Sequence, residues 1–376
     1  KFMNYANAFY RPVNGVTGVM ELQPGQVNWG EINPQPQPGA VRMWLYHAWA
    51  AGSDFACTYR YRQPLYGSEQ YHAGIVGTDG VTPSQGGLEY QQFMKEIQKL
   101  RKSYVNNPDL PAALQHRKTA ILWNHENWWD LDFQKQTSQW NTFNHMSKYL
   151  DAALLCGAPV DMIGEKDNFS AYKMLIAPAY QLVDSTLVDR LADYVQQGGN
   201  LVLTCRTAQK NRDGQLWQGS WASPILKLIG AKIDFFDLMM PETKGVVKMN
   251  GKMYAWNNWG DVLAPDAGTR SLAVYANQFY AGKSAVISRK LGKGTVTYVG
   301  VDSEDGLFEK DVLKSVYQTA GISTENFPKG IYVFWREGFT VAVNYSSADY
   351  TLTIPAGARL LVGEKILKPA SVAVWK

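Results

Sequence analysis

The sequence predicts an α/β chain that ends in a small antiparallel β-domain, and three patterns carry that prediction. Between Gly15 and Tyr104, apolar runs of strand length alternate with stretches of helical period, and from Thr119 to Gly321 a second such alternation runs with its own rhythm. From Gly330 to Trp375 the period falls to two. Strands alternating with helices imply right-handed crossovers and parallel pairing, whereas short period-two runs between turn residues imply antiparallel hairpins. The chain accordingly divides into residues 1–110, 111–325 and 326–376.

The first segment opens on an apolar run, Val16 to Met20, that reads as a buried strand, with Glu21 where the run stops, just before the Pro24-Gly25 turn. Val41, Trp44, Leu45, Ala48 and Trp49 then fall at helical spacing between Gly39 and Gly52, which act as start and stop signals. Asp54 to Tyr61 reads as a short strand and Arg62 to Gly80 as a long polar loop. Tyr90, Phe93, Met94, Ile97, Leu100 and Tyr104 form the stripe of a second helix. Strand, helix, strand, helix, with chemically capable residues after both strands, resembles the last quarter of a (β/α)8 barrel. Such a barrel is filled by side chains from all eight strands, so about six βα units are expected outside this chain. The opening KFMNYANAFYRPVNG has the pattern of neither a signal peptide nor an initiator region, and the chain is expected to begin within a larger whole.

Asn106 to Lys118, with Pro108 and Pro111, reads as a linker. Strands are expected at Thr119–Trp123, Val160–Ile163, Lys173–Ile176, Leu201–Thr204 and Thr295–Val299, and helices at Trp140–Cys156, Leu187–Gln196 and Leu307–Gly321. Gly292-Lys293-Gly294 lacks the remaining glycine, helix and acidic residue of a dinucleotide fingerprint, so a hairpin turn is expected there. In the last segment Tyr332–Trp335, Phe339–Val343 and Tyr350–Ile354 are the period-two runs, and Trp335 and Trp375 are expected to pack in its core rather than hold a glycan.

Composition excludes several classes. A chain of 376 residues, 45% hydrophobic, can build more than one core. Thirteen Trp and 21 Tyr suit sugar stacking and large cores alike. The net charge of +4 is spread without blocks of one sign, which offers nothing to nucleic acid or an acidic membrane surface. No apolar run approaches the roughly 20 residues of a membrane span. Cys57, Cys156 and Cys205 are odd in number and far apart, giving neither a disulfide framework nor a tetrahedral metal pattern, and read as free structural thiols. Cys205 follows a strand as an elbow nucleophile would. Its neighbours Arg206 and Thr207 are not the small residues that turn requires, and His116, His125 and His145 all precede it, so an inert buried thiol is expected.

The chemistry centres on Glu21, a carboxylate at the C-terminal mouth of a strand, the face that carries catalysis in barrels of this kind. Asn28, Trp29 and the loop of Pro34, Pro36 and Pro38 follow it. The pattern Met-Glu-x-Gln-Pro-Gly-x-Val-Asn-Trp, then Asn33-Pro34, Pro38-Gly39 and Val41-Arg42-x-Trp44, resembles the nucleophile region of glycoside hydrolase family 42 β-galactosidases, and the likeness continues through Arg60-Tyr61-Arg62-Gln63 and Glu69-Gln70-x-His72-Ala73-Gly74. The resemblance implies that Glu21 is the nucleophile of a retaining mechanism, that Glu69 and His72 bind galactose hydroxyls, and that Trp29 is the stacking platform. Tyr59 stands where the family has an aromatic residue, often Phe, and adds a hydroxyl. It further implies that the acid/base Glu, preceded by Asn, belongs to an earlier strand not in this chain, that the middle segment is an amidotransferase-like trimerisation domain, and that the protein is a homotrimer acting on β-galactosides without a cofactor. The zinc-binding cysteine cluster of some members belongs to a part of the barrel not in this chain. Arg42, Arg60 and Arg62 are candidate cations beside the nucleophile, and Glu31, on the loop, reads as a rim charge. Two rivals stand beside this expectation: a noncatalytic assembly or sugar-binding module, and a glycosidase acting on α-L-arabinopyranosides. The compartment, cytoplasmic or periplasmic, is left unassigned.

Overall fold

A computed structural model describes residues 1–13, 15–106 and 108–376; Asn14, and Asn107 within the expected linker, lie outside the described residues. The chain forms two compact units, one of Phe2–Pro111 with Phe327–Lys376, the other of Ala112–Asn326 with Lys1.

The first unit begins with α1 (Phe2–Tyr10), which the sequence pattern does not assign, followed by β1 (Gly18–Leu22), α2 (Ala40–Ala51), β2 (Phe55–Thr58) and α3 (Gln85–Leu100). β1 and β2 pair in parallel, with Gly18 opposite Phe55, Val19 opposite Ala56 and Leu22 opposite Thr58. Leu22, Val41, Leu45 and Ala48 form a small core, flanked by Val19, Trp44, Ala56, Tyr90 and Phe93. The helices therefore cover one face of the pair. The other face is open, which corrects the expectation of a buried strand over Val16–Met20: β1 starts two residues later, and Val16 and Met20 are 77% and 68% exposed. Two strands provide neighbours for only one face. α3 is fastened to β1 by Tyr90 Oη, which donates to the Leu22 carbonyl at 3.1 Å. Its first turn lies so close to the Pro24 carbonyl oxygen that a Cβ on Gly86 would meet that atom at 1.6 Å.

The second unit contains α4 (Ala112–His116), β3 (Thr119–Leu122), α5 (His125–Phe133), α6 (Thr142–Leu155), β4 (Val160–Ile163), β5 (Met174–Ala177), α7 (Ser185–Gln196), β6 (Asn200–Thr204) and α8 (Leu226–Ile229). It continues through β7 (Ala231–Asp237), β8 (Gly245–Met249), β9 (Lys252–Pro265), β10 (Arg270–Tyr275), β11 (Ser284–Leu291), β12 (Gly294–Val299), β13 (Val301–Ser303) and α9 (Leu307–Thr319). β4, β3, β5, β6 and β12 lie side by side in parallel, the expected open α/β sheet. Their order, second-first-third-fourth-fifth in the chain, is that of a doubly wound sheet. From β12 the sheet continues antiparallel through β11, β10, β8, β9 and β13, with β7 also on β9. The β11–β12 hairpin turns at Gly292-Lys293, Leu291 pairing with Gly294, as the sequence pattern predicts. Asp184 caps α7 by accepting from the Leu187 amide at 2.8 Å. The central strands are buried on both faces, as parallel strands between helices are.

The chain then rejoins the first unit as β14 (Ile331–Arg336), β15 (Phe339–Asn344), β16 (Tyr350–Thr351), β17 (Leu360–Val362), β18 (Ile366–Leu367) and β19 (Val372–Trp375). β14, β15, β19 and β17 form an antiparallel sheet, and β16 pairs with β18. Trp375, 7% exposed, packs with Ile331, Ala342, Leu352 and Leu367, the core role expected of it. α2 meets this sheet through His47, whose ring stacks on Phe334 at 5.0 Å and whose Nδ1 is 2.7 Å from Tyr345 Oη.

Candidate active site

The site grows from an irregularity in β1. Val19 and Leu22 both face the helices although they are three apart, a spacing that strict alternation forbids; the pairing register shifts between them. The extra residue puts Met20 and Glu21 together on the open face. Bulges re-aim side chains in this way beside active sites. Glu21 is exposed and makes no side-chain hydrogen bond among the described residues.

Two loops meet beside it. The Ala73 amide donates to the Gln26 carbonyl at 2.9 Å, and Asn28 Nδ2 donates to the Ser68 carbonyl at 2.7 Å, tying the segment after β1 to the loop after β2. Trp29, beside Asn28, stays 71% exposed and free to present a ring face. The loop after β2 is braced internally: the Ile75 amide donates to the Arg60 carbonyl at 2.9 Å and the Val76 amide to the Tyr61 carbonyl at 2.8 Å.

Tyr59, Arg60, Glu69 and His72 come together inside that loop. Tyr59 Oη donates to Glu69 Oε2 at 2.6 Å, and Arg60 Nη1 donates to the same oxygen at 2.8 Å. The Arg60 guanidinium also lies over the Tyr59 ring, 5.1 Å from its centroid. The Tyr59 ring meets His72 edge-on, centroids 5.2 Å apart. His72 is buried, its Nδ1 is 3.1 Å from the Ala73 carbonyl, and its Nε2 has no hydrogen-bond partner among the described residues. The hydrogen bond to Glu69 chiefly, then burial and the nearby Glu69 and Glu21 charges against Arg60, holds the Tyr59 phenol above its ordinary pKa. Glu21 is thus close enough to act on Tyr59 electrostatically.

Of the three arginines expected beside Glu21, Arg60 joins this group but pairs with Glu69 rather than with Glu21. Arg42 turns to α3, where Nε and Nη2 donate to Glu96 at 2.8 and 3.0 Å, and Arg62 donates through Nη2 to the Thr78 carbonyl at 2.6 Å. Both expectations are corrected for one reason: a long cation goes to the partner its own element packs against. Glu31 is exposed on its loop. Sequence reasoning missed the contact between Tyr59 and Glu69, although the hydroxyl added at Tyr59 was its visible signal.

The second unit has a buried polar cluster at the end of β6. His145 places Nδ1 2.7 Å from Asp302 Oδ1 and Nε2 2.9 Å from Thr204 Oγ1, while Lys148 Nζ donates to Asp302 at 2.7 Å. Chain order was a poor ground for excluding histidine from this strand end, since α6 carries His145 back to it. The partner is the Thr204 hydroxyl, however, and Cys205 is a buried free thiol whose pKa burial pushes well above its ordinary value.

Residues 117–323 match the β-galactosidase trimerisation domain, 1–100 the β-galactosidase domain of glycoside hydrolase family 42, and 335–376 the β-galactosidase C-terminal domain. A β-galactosidase of Haloferax lucentense is 32% identical over 357 residues, 95% of this chain and 52% of the relative. Two solved structures are each 28% identical: the β-galactosidase of Halorubrum lacusprofundi (TM-score 0.86, 99% of this chain and 55% of that one) and that of Marinomonas ef1 (TM-score 0.83, 98% and 54%). The matches put the chain among the glycoside hydrolases. Within that class it belongs to family 42, the β-galactosidases, and it spans about half the length of the relatives it matches.

Proposed function

We propose that the complete protein is a retaining β-galactosidase that removes terminal β-D-galactosyl residues by double displacement. The observation that carries this reading is the bulge in β1, which presents Glu21 on the open face within electrostatic reach of Tyr59, the residue that contacts both Glu69 and His72. Retention needs two carboxyl groups about 5 to 5.5 Å apart, one attacking the anomeric carbon while the other protonates the leaving oxygen and then activates water. Glu21 is the attacking group. The acid/base carboxyl comes from a barrel segment outside these 376 residues, so this chain alone holds half of the pair. Trp29 stacks on the sugar ring, and Glu69 and His72 read its hydroxyls. Residues 1–110 supply the end of the barrel, 111–325 the assembly domain and 326–376 a β-domain without catalytic groups. The match of 117–323 to a trimerisation domain supports assembly as a homotrimer.

Glu21→Gln in the complete enzyme tests the reading. The amide keeps the shape and loses the nucleophile, so turnover of an aryl β-D-galactoside falls by several orders of magnitude at unchanged thermal stability. Substantial turnover by that variant contradicts the assignment.

A further inference from the structure

Both donors on Glu69 end on one oxygen. Tyr59 Oη and Arg60 Nη1 reach Oε2 at 2.6 and 2.8 Å, and among the described residues no donor reaches Oε1. A terminal carboxylate torsion is broad, so an untethered Glu69 samples many orientations. Here two donors from adjacent residues, stacked on each other at 5.1 Å, hold it in one. The ion pair is 32% and 39% exposed on its two sides, and a pair this open contributes little to folding.

We infer that Tyr59 and Arg60 are positioning residues: by occupying Oε2 they leave Oε1 of Glu69 as the acceptor offered to a substrate hydroxyl, and so set the discrimination between galactosides and their 4-epimers. The inference rests on the proposal that Glu69 meets the sugar. Tyr59 also touches His72 edge-on, so one phenol braces both groups of that hydroxyl-reading pair. A site built to bond a hydroxyl in one place rejects the epimer that puts it elsewhere, provided the acceptor cannot turn to follow it.

The test uses the complete enzyme with Tyr59→Phe, Arg60→Met, Arg60→Lys and Glu69→Gln, and Arg60→Met combined with Glu69→Gln. kcat and KM are measured on aryl β-D-galactoside and aryl β-D-glucoside, with thermal midpoints as the check on folding. Tyr59→Phe, which removes one oxygen atom, and Arg60→Met each lower kcat/KM on the galactoside by roughly 10- to 100-fold, the scale of one hydrogen bond to a charged group, and change the glucoside rate little. Arg60→Lys recovers part of the loss. In the Glu69→Gln background Arg60→Met adds nothing further, because the two act through one carboxylate. If Glu69→Gln collapses the galactoside-to-glucoside ratio while Tyr59→Phe and Arg60→Met preserve it, the positioning role is overturned and the sugar contact of Glu69 stands. If Glu69→Gln itself preserves the ratio, the sugar contact falls and the positioning role with it.

Discussion

Glu21 reaches the open face of its strand because β1 holds one residue more than the pairing with β2 requires, and its neighbour Leu22 keeps its place in the core. The turn that follows depends on Gly86, where a Cβ would lie 1.6 Å from the Pro24 carbonyl oxygen, a backbone atom that cannot step aside alone. Gly86→Ala therefore forces α3 and the Pro24-Gly25 turn apart. The expected cost is about 1–3 kcal/mol, the range for overpacking a tight site, read as a lowered denaturant midpoint. A midpoint equal to the parent's contradicts that close approach. The sequence singles out Glu21, Trp29, Glu69 and His72 because their spacing sits in a long run of matched positions. The bulge was not legible, since an inserted residue shows only against its partner strand. Nor were the destinations of Arg42 and Arg62, which depend on Glu96 and the Thr78 carbonyl, both brought near by folding.

At the scale of elements, α2 serves two masters. Its Val41, Leu45 and Ala48 side pins it to β1, while His47 packs among Tyr332, Phe334 and Tyr345 of the C-terminal sheet. Burial lowers the His47 pKa to about 3 from an ordinary 6.5. The unfolded chain thus binds a proton that the folded chain refuses throughout that interval. Stability from this residue is complete above pH 6.5 and is lost as the pH falls toward 3. At pH 5 the loss amounts to about 2 kcal/mol relative to neutrality. A His47→Leu variant is expected to lose less stability than the parent between pH 7 and 5 in urea titrations; equal losses contradict a neutral, buried His47. The helices α2, α3, α6, α7 and α9 announced themselves by apolar stripes. α5 did not, because HENWWDLDF crowds its apolar residues without a one-sided stripe, and α1 did not, because FMNYANAFY is short and mostly aromatic or small. The antiparallel strands β7 to β11 were equally hidden: β9 alternates imperfectly over 14 residues, pairing with more than one strand.

At the scale of the whole molecule, chain order and spatial order differ. The parallel sheet was legible from its short apolar-rich strands alternating with helices, whereas the union of the first hundred residues with the last fifty in one compact unit was not, since nothing local encodes a return contact. The cluster of His145, Lys148, Thr204 and Asp302 illustrates the same limit, joining residues 157 positions apart along the chain. Assembly belongs to this scale too. Sedimentation equilibrium of the complete protein is expected to give three times the protomer mass, and a monomer at all concentrations contradicts the assembly role given to residues 111–325.

The central claim, that Glu21 is the nucleophile of a retaining galactosidase, is tested most directly by trapping it. Incubation of the complete enzyme with a 2-deoxy-2-fluoro-β-galactosyl donor, followed by denaturing mass spectrometry and peptide mapping, is predicted to place a fluorosugar on the peptide containing Glu21. A fluorosugar on any other carboxylate, or an active enzyme that carries none, contradicts it.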